Sequence, residues 1–320
     1  MSTAPSIHAH RISSIDFLRG LVMILMALDH VRMYFGLGTW YAEPTNLATT
    51  TPLLFFTRWI THFCAPVFVF LAGTSAFLYG MKKANTKDTA WFLFTRGLWL
   101  VFAELVIVNF AWTFDITYSF RLLQVIWAIG LSMIVLSGLV FLSRGWILAI
   151  GMIFVFGHNL LDSITRQGLA FQDLLWYTVH QPETVVINGS LVNFLYPVLP
   201  WIGLMALGYV FGTLYQQDIT TEQRKRWLLS IGLAAILLFL FLRAFNGYGE
   251  PREWALQTSP AFTLLSFLNV TKYPPSLHFL LMTMGPALLL LAAIEPLQNR
   301  LPRPVIVFGR VPFFFYIFHL

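Results

Sequence analysis

The chain has 320 residues, of which 58% are hydrophobic, 17% aromatic and only 11% charged, with a mean hydropathy of +0.71. Soluble domains carry about a quarter charged residues, so this chain lacks the polar side chains to cover a water-exposed surface, and a soluble globular fold is excluded. A net charge of +6 would suggest nucleic acid in a soluble protein, but the cytoplasmic loops of membrane proteins collect Lys and Arg, so no nucleic-acid partner is expected.

The single cysteine, Cys64, lies in an apolar stretch and supports neither a disulfide framework nor a thiolate metal site; no metal is predicted. Residues 1–16 are polar and show no cleavable signal pattern, so they are expected to form a cytoplasmic tail, with 17–320 a single transmembrane domain. Apolar segments follow at 17–36, 53–80, 90–113, 122–142, 145–163, 191–215, 227–245, 275–295 and 304–320. Most reach the ~20 residues that cross a hydrocarbon core. Backbone in lipid must satisfy itself internally, so the expected fold is an all-α polytopic bundle of about nine or ten helices in a bilayer.

The tail and the even-numbered loops carry Arg11, Lys82, Lys83, Lys87, Arg144, Arg224, Lys225, Arg226, Arg300 and Arg303. The positive-inside rule then puts the amino terminus in the cytoplasm. The two long outer connections, 164–190 and 246–274, hold FQDLLWYTV and PAFTLLSFLNV, expected as short amphipathic segments on the membrane or capping a cavity. The chain stops at VPFFFYIFHL, inside an apolar run without a polar tail, which leaves room for a further helix.

Ionisable groups at bilayer depth are expensive and mark interiors, cavities and sites. In the first helix Asp16, Arg19, Asp29 and His30 interrupt SIDFLRGLVMILMALDHVRMYF. Arg19 and His30 are close to three turns apart, on one face and ~16 Å apart along the axis. Asp16 is spaced to pair with Arg19; the bland reading of that pair is a snorkelling anchor. Asp29 lies about 100° round the helix from His30, so it orients a neighbouring group rather than His30 itself. The second helix carries Arg58, His62, Pro66 and Gly73; Pro66 distorts the helix near His62, and Gly73 suits close helix packing.

Arg96, Glu104 and Asn109 thread the third helix, with Asp115 and Arg121 near its end. His158 and Asp162 share a helical face, where a His–carboxylate hydrogen bond is expected rather than a metal, one pair being too few ligands. Pro197, Pro200 and Trp201 mark a broken sixth helix. In KYPPSLHF, Lys272 and His278 stand at the entrance of the eighth. His30, His62, His158, His278 and His319 map to outer halves of helices, whereas basic residues such as Arg19 and Arg96 concentrate at inner ends. That polarity suits a phosphate-rich donor inside and proton transfer further out.

The segments SIDFLRGLVMILMALDH, HFCAPVFVFLAGTSAFL, RLLQVIWAIGLSMIVL, YPVLPWIGLMALGYVFG and KYPPSLHFLLMTMGPALLLLAA together resemble bacterial members of the heparan-alpha-glucosaminide N-acetyltransferase catalytic-domain family, over nearly the whole chain. The opening also resembles the acyltransferase-3 membrane enzymes, whose signature of an arginine, ten residues and a histidine is met by Arg19 and His30. The resemblance implies a membrane-bound acyltransferase of the bacterial inner membrane. It would move acetyl from cytosolic acetyl-CoA to a glycan amine or hydroxyl on the outer side. The lysosomal relatives carry their catalytic histidine in the connection after the first helix. Residues 31–61 contain none, so His30 or His62 takes its place.

An imidazole can act as the base for the acceptor or be acetylated transiently, with His30 the first candidate and His62 the second, and Asp29 beside them. Arg19, held by Asp16, would bind CoA phosphate through charge-assisted hydrogen bonds, with Arg96 a further donor-binding residue. A homodimer is left open. The alternative is a proton-coupled transporter, which the intramembrane His, Asp and Arg groups would also serve, though no inverted repeat of the transporter kind is visible.

Overall fold

The computed structural model describes residues 12–36 and 43–320; Arg11 and most of the expected tail lie outside the described residues. The chain is predominantly helical. In order, it forms α1 (Ser13–Phe35), α2 (Pro52–Trp59), α3 (Cys64–Gly80), α4 (Thr86–Ala103), α5 (Asn109–Thr113), β1 (Phe120–Leu122), α6 (Val125–Leu139) and α7 (Arg144–Gly157). There follow α8 (Phe171–Val179), β2 (Thr184–Ile187), β3 (Ser190–Asn193), α9 (Leu199–Phe211), α10 (Thr221–Ala244), α11 (Pro260–Leu268), α12 (Leu277–Ile294), α13 (Arg303–Arg310) and α14 (Pro312–Phe318).

Polar caps start several helices. The Asn85 side chain accepts from Lys87 N ahead of α4, Thr220 and Gln223 form a capping box on α10, and Ser276 accepts from Phe279 N ahead of α12. Each satisfies a donor that the first turn would otherwise orphan.

The membrane-spanning, all-α character read from composition is borne out. Among the described residues, five segments are long and apolar enough to cross a bilayer: Pro52–Gly80, Thr86–Thr113, Arg144–Leu161, Thr221–Ala244 and Leu277–Arg300. The other apolar helices depart from that length and composition for reasons visible in the chain. Helix α1 has 23 residues but carries Asp16, Arg19, Asp29 and Arg32. The apolar helices Val125–Leu139 and Leu199–Tyr215 are shorter. The segment expected at 304–320 breaks at Val311, and Pro312 starts α14. Helix α1 also begins at Ser13, inside the stretch expected as tail.

Small residues bring the helices together, as expected where van der Waals contact and not solvent drives association. A Cβ at Gly73 would lie 2.0 Å from the Met205 carbonyl oxygen, and one at Gly208 2.1 Å from that of Phe70, so α3 and α9 touch backbone to backbone. Gly97 meets Gly130 between α4 and α6, Gly151 meets Gly203 between α7 and α9, and Gly285 meets Gly232 between α12 and α10. Within Leu277–Arg300, 78% of the apolar window is buried, against 22% for Thr221–Ala244. Helix α12 is therefore the centre of the bundle, and α10 lies on its periphery.

A three-stranded sheet, in the order β1-β3-β2, was not expected from the sequence. Strands β2 and β3 form a hairpin closed by Asn188 and Gly189, both at positive φ, the pattern of a tight two-residue turn. Helices α8 and α11 occupy the two long connections where amphipathic segments were expected. The bulge at Glu104–Val108 widens the end of α4 into a π-helical turn. The fully buried Glu104 carboxylate accepts from the backbone amides of Gln124 (3.2 Å) and Trp127 (3.1 Å). It thereby caps α6, whose first amides have no partner in their own helix.

The expected His158–Asp162 hydrogen bond is not formed. His158 Nδ1 meets the Phe154 and Val155 carbonyls and its Nε2 the Pro275 carbonyl, because Gly157 ends α7 and the chain turns into a 3₁₀ segment. Asp162 pairs instead with His180, at 3.0 Å.

Candidate active site

Two polar clusters sit at opposite ends of α1. At its amino-terminal end, Arg19 Nη1 donates to Asp16 Oδ1 at 3.2 Å and to the Gly309 carbonyl at 3.1 Å, while Nη2 donates to Ser75 Oγ at 2.9 Å. The spacing of Asp16 and Arg19 thus yields the expected ion pair. A neighbour not singled out in the sequence completes the cluster, since Arg310 Nε lies 3.5 Å from Asp16 Oδ2. Gly20 and Gly309 make this possible. A Cβ on Gly309 would lie 1.7 Å from the Asp16 carbonyl oxygen, and one on Gly20 2.0 Å from that of Val305. Only glycines let α13 run this close to α1 and bring Arg310 to Asp16.

Arg96 is not gathered into this cluster. It is exposed on α4, with its guanidinium 6.0 Å from the Phe92 ring centroid, and α4 packs chiefly on α6.

Between the two ends, Met23 and Met26 lie on the face shared by Arg19 and His30, and both are buried. The polar stripe expected along α1 is therefore interrupted by two thioethers, side chains that repack readily.

At the carboxy-terminal end, the His30 ring stacks on His319 and meets Trp112 edge-on at 5.0 Å and Tyr316 at 6.5 Å. Its Nδ1 is buried with no hydrogen-bond partner among the described residues. A rotation of about 100° per residue points the adjacent Asp29 in another direction. Its carboxylate pairs with Arg32 through one oxygen and with Arg58 through the other, at 2.7 Å. Arg58, from α2, also lies 3.6 Å from Glu43 and 3.5 Å from the Tyr273 hydroxyl.

His62 stands in the 3₁₀ turn Ile60–Phe63, where α2 breaks before α3, close to the distortion expected of Pro66. It is 3% exposed, its ring 5.3 Å from Phe279, and its Nδ1 is likewise unpartnered. His30 adjoins Asp29 in α1 and His62 follows Arg58 by four residues, so the Asp29–Arg58 ion pair ties together the two segments that carry the candidate imidazoles. His278 is not part of this set. It is fully buried, with Nε2 3.0 Å from the Tyr248 carbonyl.

Tyr273 was missed in the sequence, although it adjoins Lys272 in KYPP. Its ring packs on Tyr196 at 5.2 Å, and the Lys272 ammonium lies 5.2 Å from its centroid. Burial pushes the phenol up, but the charges of Lys272 and Arg58, with hydrogen bonds from Tyr196 and Lys272, outweigh it and hold the group below the usual phenol range. Charge arithmetic characterises both clusters. Asp29 and Glu43 face Arg32, Arg58 and Lys272, and Asp16 faces Arg19 and Arg310. Each set of described residues holds one more cation than carboxylate, so each end of α1 suits an anion.

Comparison with curated proteins finds no match. The family described as heparan-alpha-glucosaminide N-acetyltransferase, catalytic, matches residues 11–244, which include α1 with both of its polar ends, Arg58 and His62. The match covers most of the chain, and the chain belongs to that family of membrane acetyltransferases.

Proposed function

We propose that the protein moves acetyl from acetyl-CoA on the cytoplasmic face to an amine or hydroxyl of a sugar on the opposite face, in the cytoplasmic membrane of a bacterium. The observation that carries this reading is that a single helix holds a cationic cluster at one end and, ~16 Å away, an imidazole whose Nδ1 has no hydrogen-bond partner among the described residues. An extended phosphopantetheine arm spans that distance.

Arg19 and Arg310 hold the phosphates of the donor by charge-assisted hydrogen bonds, with Asp16 fixing both guanidiniums. The arm runs past Met23 and Met26 and delivers the thioester to His30. His30 takes the proton from the acceptor as its nitrogen or oxygen attacks the carbonyl carbon. The C–S bond then breaks, and the proton passes to the departing thiolate. Asp29 holds Arg32 and Arg58 and so shapes the acceptor side. His62, more deeply buried, is the second candidate for the base. Arg96 has no part in this scheme, being exposed on a helix that packs elsewhere.

The test is transfer of labelled acetyl from acetyl-CoA to glucosamine in membranes containing the protein. Labelled product should form, and Arg19→Ala should raise the KM for acetyl-CoA more than tenfold while kcat changes less. If no acetyl-CoA binds and no acetylated sugar forms, the reading fails.

A further inference from the structure

The segment Thr271–Ser276 lies beyond the part of the chain that matches the family, yet it carries Lys272 and Tyr273 into the carboxy-terminal cluster. Both of its ends are clamped to one carboxylate. Glu250 accepts from Thr271 Oγ1 (2.5 Å), Thr271 N (2.9 Å) and Ser276 Oγ (2.6 Å). The Pro275 carbonyl between them is held by His158 Nε2 at 2.9 Å. Groups fixed before a reaction stabilise developing charge without reorganising, and this loop is fixed on three sides.

The clamped loop supplies what the cluster of α1 and α2 lacks. Arg58 is engaged by Asp29 and approaches Glu43, and Arg32 is engaged by Asp29. Lys272 provides the extra positive charge. Arg58 Nη2 approaches the Tyr273 hydroxyl oxygen at 3.5 Å, so the phenol accepts from a cation and its own O–H remains to donate. A donor that itself accepts from a cation donates more strongly. His30 adjoins Asp29, the partner of Arg58, and its buried Nδ1 has no hydrogen-bond partner among the described residues.

We propose that Lys272 and Tyr273 form the anion-binding pair of this cluster and hold the negative charge that develops on the thioester carbonyl oxygen during transfer. The proposal rests on the acetyl-transfer reading for the reaction and on the charge arithmetic for the anion. As the acceptor nitrogen or oxygen bonds to the carbonyl carbon, the C=O electron pair moves onto oxygen, facing the Tyr273 O–H and the Lys272 ammonium. When the C–S bond breaks, the pair returns to re-form the carbonyl, and sulfur leaves as the thiol with the proton that the acceptor gave to His30.

The experiment uses the full chain in membranes and in detergent. Tyr273→Phe and Lys272→Met should each lower kcat about 10²-fold, the effect of removing one oxyanion donor, with the KM for acetyl-CoA within twofold of wild type. Lys272→Arg, which keeps the charge, should recover part of the loss. Independently of transfer, sodium acetate should raise the melting temperature of the wild type, and this shift should vanish in Lys272→Met. A wild type that transfers no acetyl but shows the acetate shift would sink the transferase reading and uphold the anion pair. Unchanged kcat in both variants, or a rise confined to the acceptor KM for acceptors bearing a carboxylate or sulfate, would overturn the oxyanion role.

Discussion

The His30 and His319 imidazoles lie nearly parallel, their centroids 4.7 Å apart and their planes 7° from coplanar. The end of α14 thus packs against the ring that α1 presents, the proposed base, and His319 is itself held by the Phe315 carbonyl at 2.8 Å. His30→Ala should lower acetyl transfer by about 10²–10⁴-fold, the range for a lost general base. His319→Ala should cost about tenfold, because it removes a support and leaves the base, and a 1 Å misplacement alone costs up to ~10²-fold. His62→Ala should fall between them. Initial rates in membranes normalised to folded protein decide the order, and a His319→Ala loss equal to that of His30→Ala would assign the base to the wrong ring.

Asp29→Asn should destabilise the protein by about 1–3 kcal/mol, since it removes the carboxylate that pairs both half-buried guanidiniums and leaves Arg58 only its longer contacts to Glu43 and Tyr273. Thermal unfolding in detergent measures this. An unshifted transition would mean that water or lipid headgroups already compensate both cations.

Glu295 is 1% exposed and accepts from Ser14 Oγ (2.6 Å), Arg224 Nε (2.5 Å) and Gln298 Nε2 (2.8 Å). It ties the start of α1 to α10 and α12. Glu295→Met should cost about 3–5 kcal/mol, and adding Arg224→Met should restore part of it, because the stranded cation goes too. The folded fraction should still transfer acetyl at the wild-type rate per molecule. A double variant less stable than either single one would refute the buried-pair account.

Little of this architecture beyond the helices was legible in the sequence, and the reasons are physical. The Arg19–His30 spacing could be read because one helix with a fixed rise carries both. Tyr273, Arg310, Glu43 and His319 reach the clusters from distant segments, and no local spacing encodes that approach. The Glu250 clamp is likewise non-local. The hairpin at 184–193 did carry a signal, Asn188-Gly189 between apolar residues, but a chain dominated by long apolar runs hides so short an element. Hydropathy does not see the break at Val311-Pro312 or the short lengths of α6 and α9, because both are set by how the chain packs. Arg96 shows the opposite limit, since an arginine in an apolar helix faces lipid or interior according to packing alone.

The Asp115 carboxylate accepts from Thr117 N (2.7 Å) and Oγ1 (2.6 Å) through Oδ1, and from Ser119 N (2.7 Å) and Oγ (2.6 Å) through Oδ2. The hydrogen bonds from Ser119 and Thr117 hold its carboxyl well below the usual range. A depressed carboxylate contributes order that is complete above its unfolded value of about 3.9, and that order is lost as pH falls through the lower folded value. The protection factors of the Thr117 and Ser119 amides, which precede β1, should therefore be the same at pH 7 and pH 5 and fall only in strong acid. Asp115→Asn should lower them at every pH. A fall in the wild type between pH 7 and pH 5 would contradict the assignment.

Met23→Trp should obstruct the path between the two clusters. Overpacking a buried site costs about 1–3 kcal/mol, and the added ring occupies the face along which the pantetheine arm would run. Transfer per folded molecule should fall at least tenfold (~1.4 kcal/mol), while Met26→Leu should be tolerated. Full activity in Met23→Trp would route the donor elsewhere.

In the proposed scheme α1 links a donor on one face of the membrane to an acceptor on the other. The direct measurement uses sealed vesicles with acetyl-CoA confined to the cytoplasmic side and a membrane-impermeant amino sugar confined to the opposite side. The account predicts acetylated sugar with wild-type protein, and background product with His30→Ala. Product only when donor and acceptor share a compartment, or full transfer by both His30→Ala and His62→Ala, would contradict it.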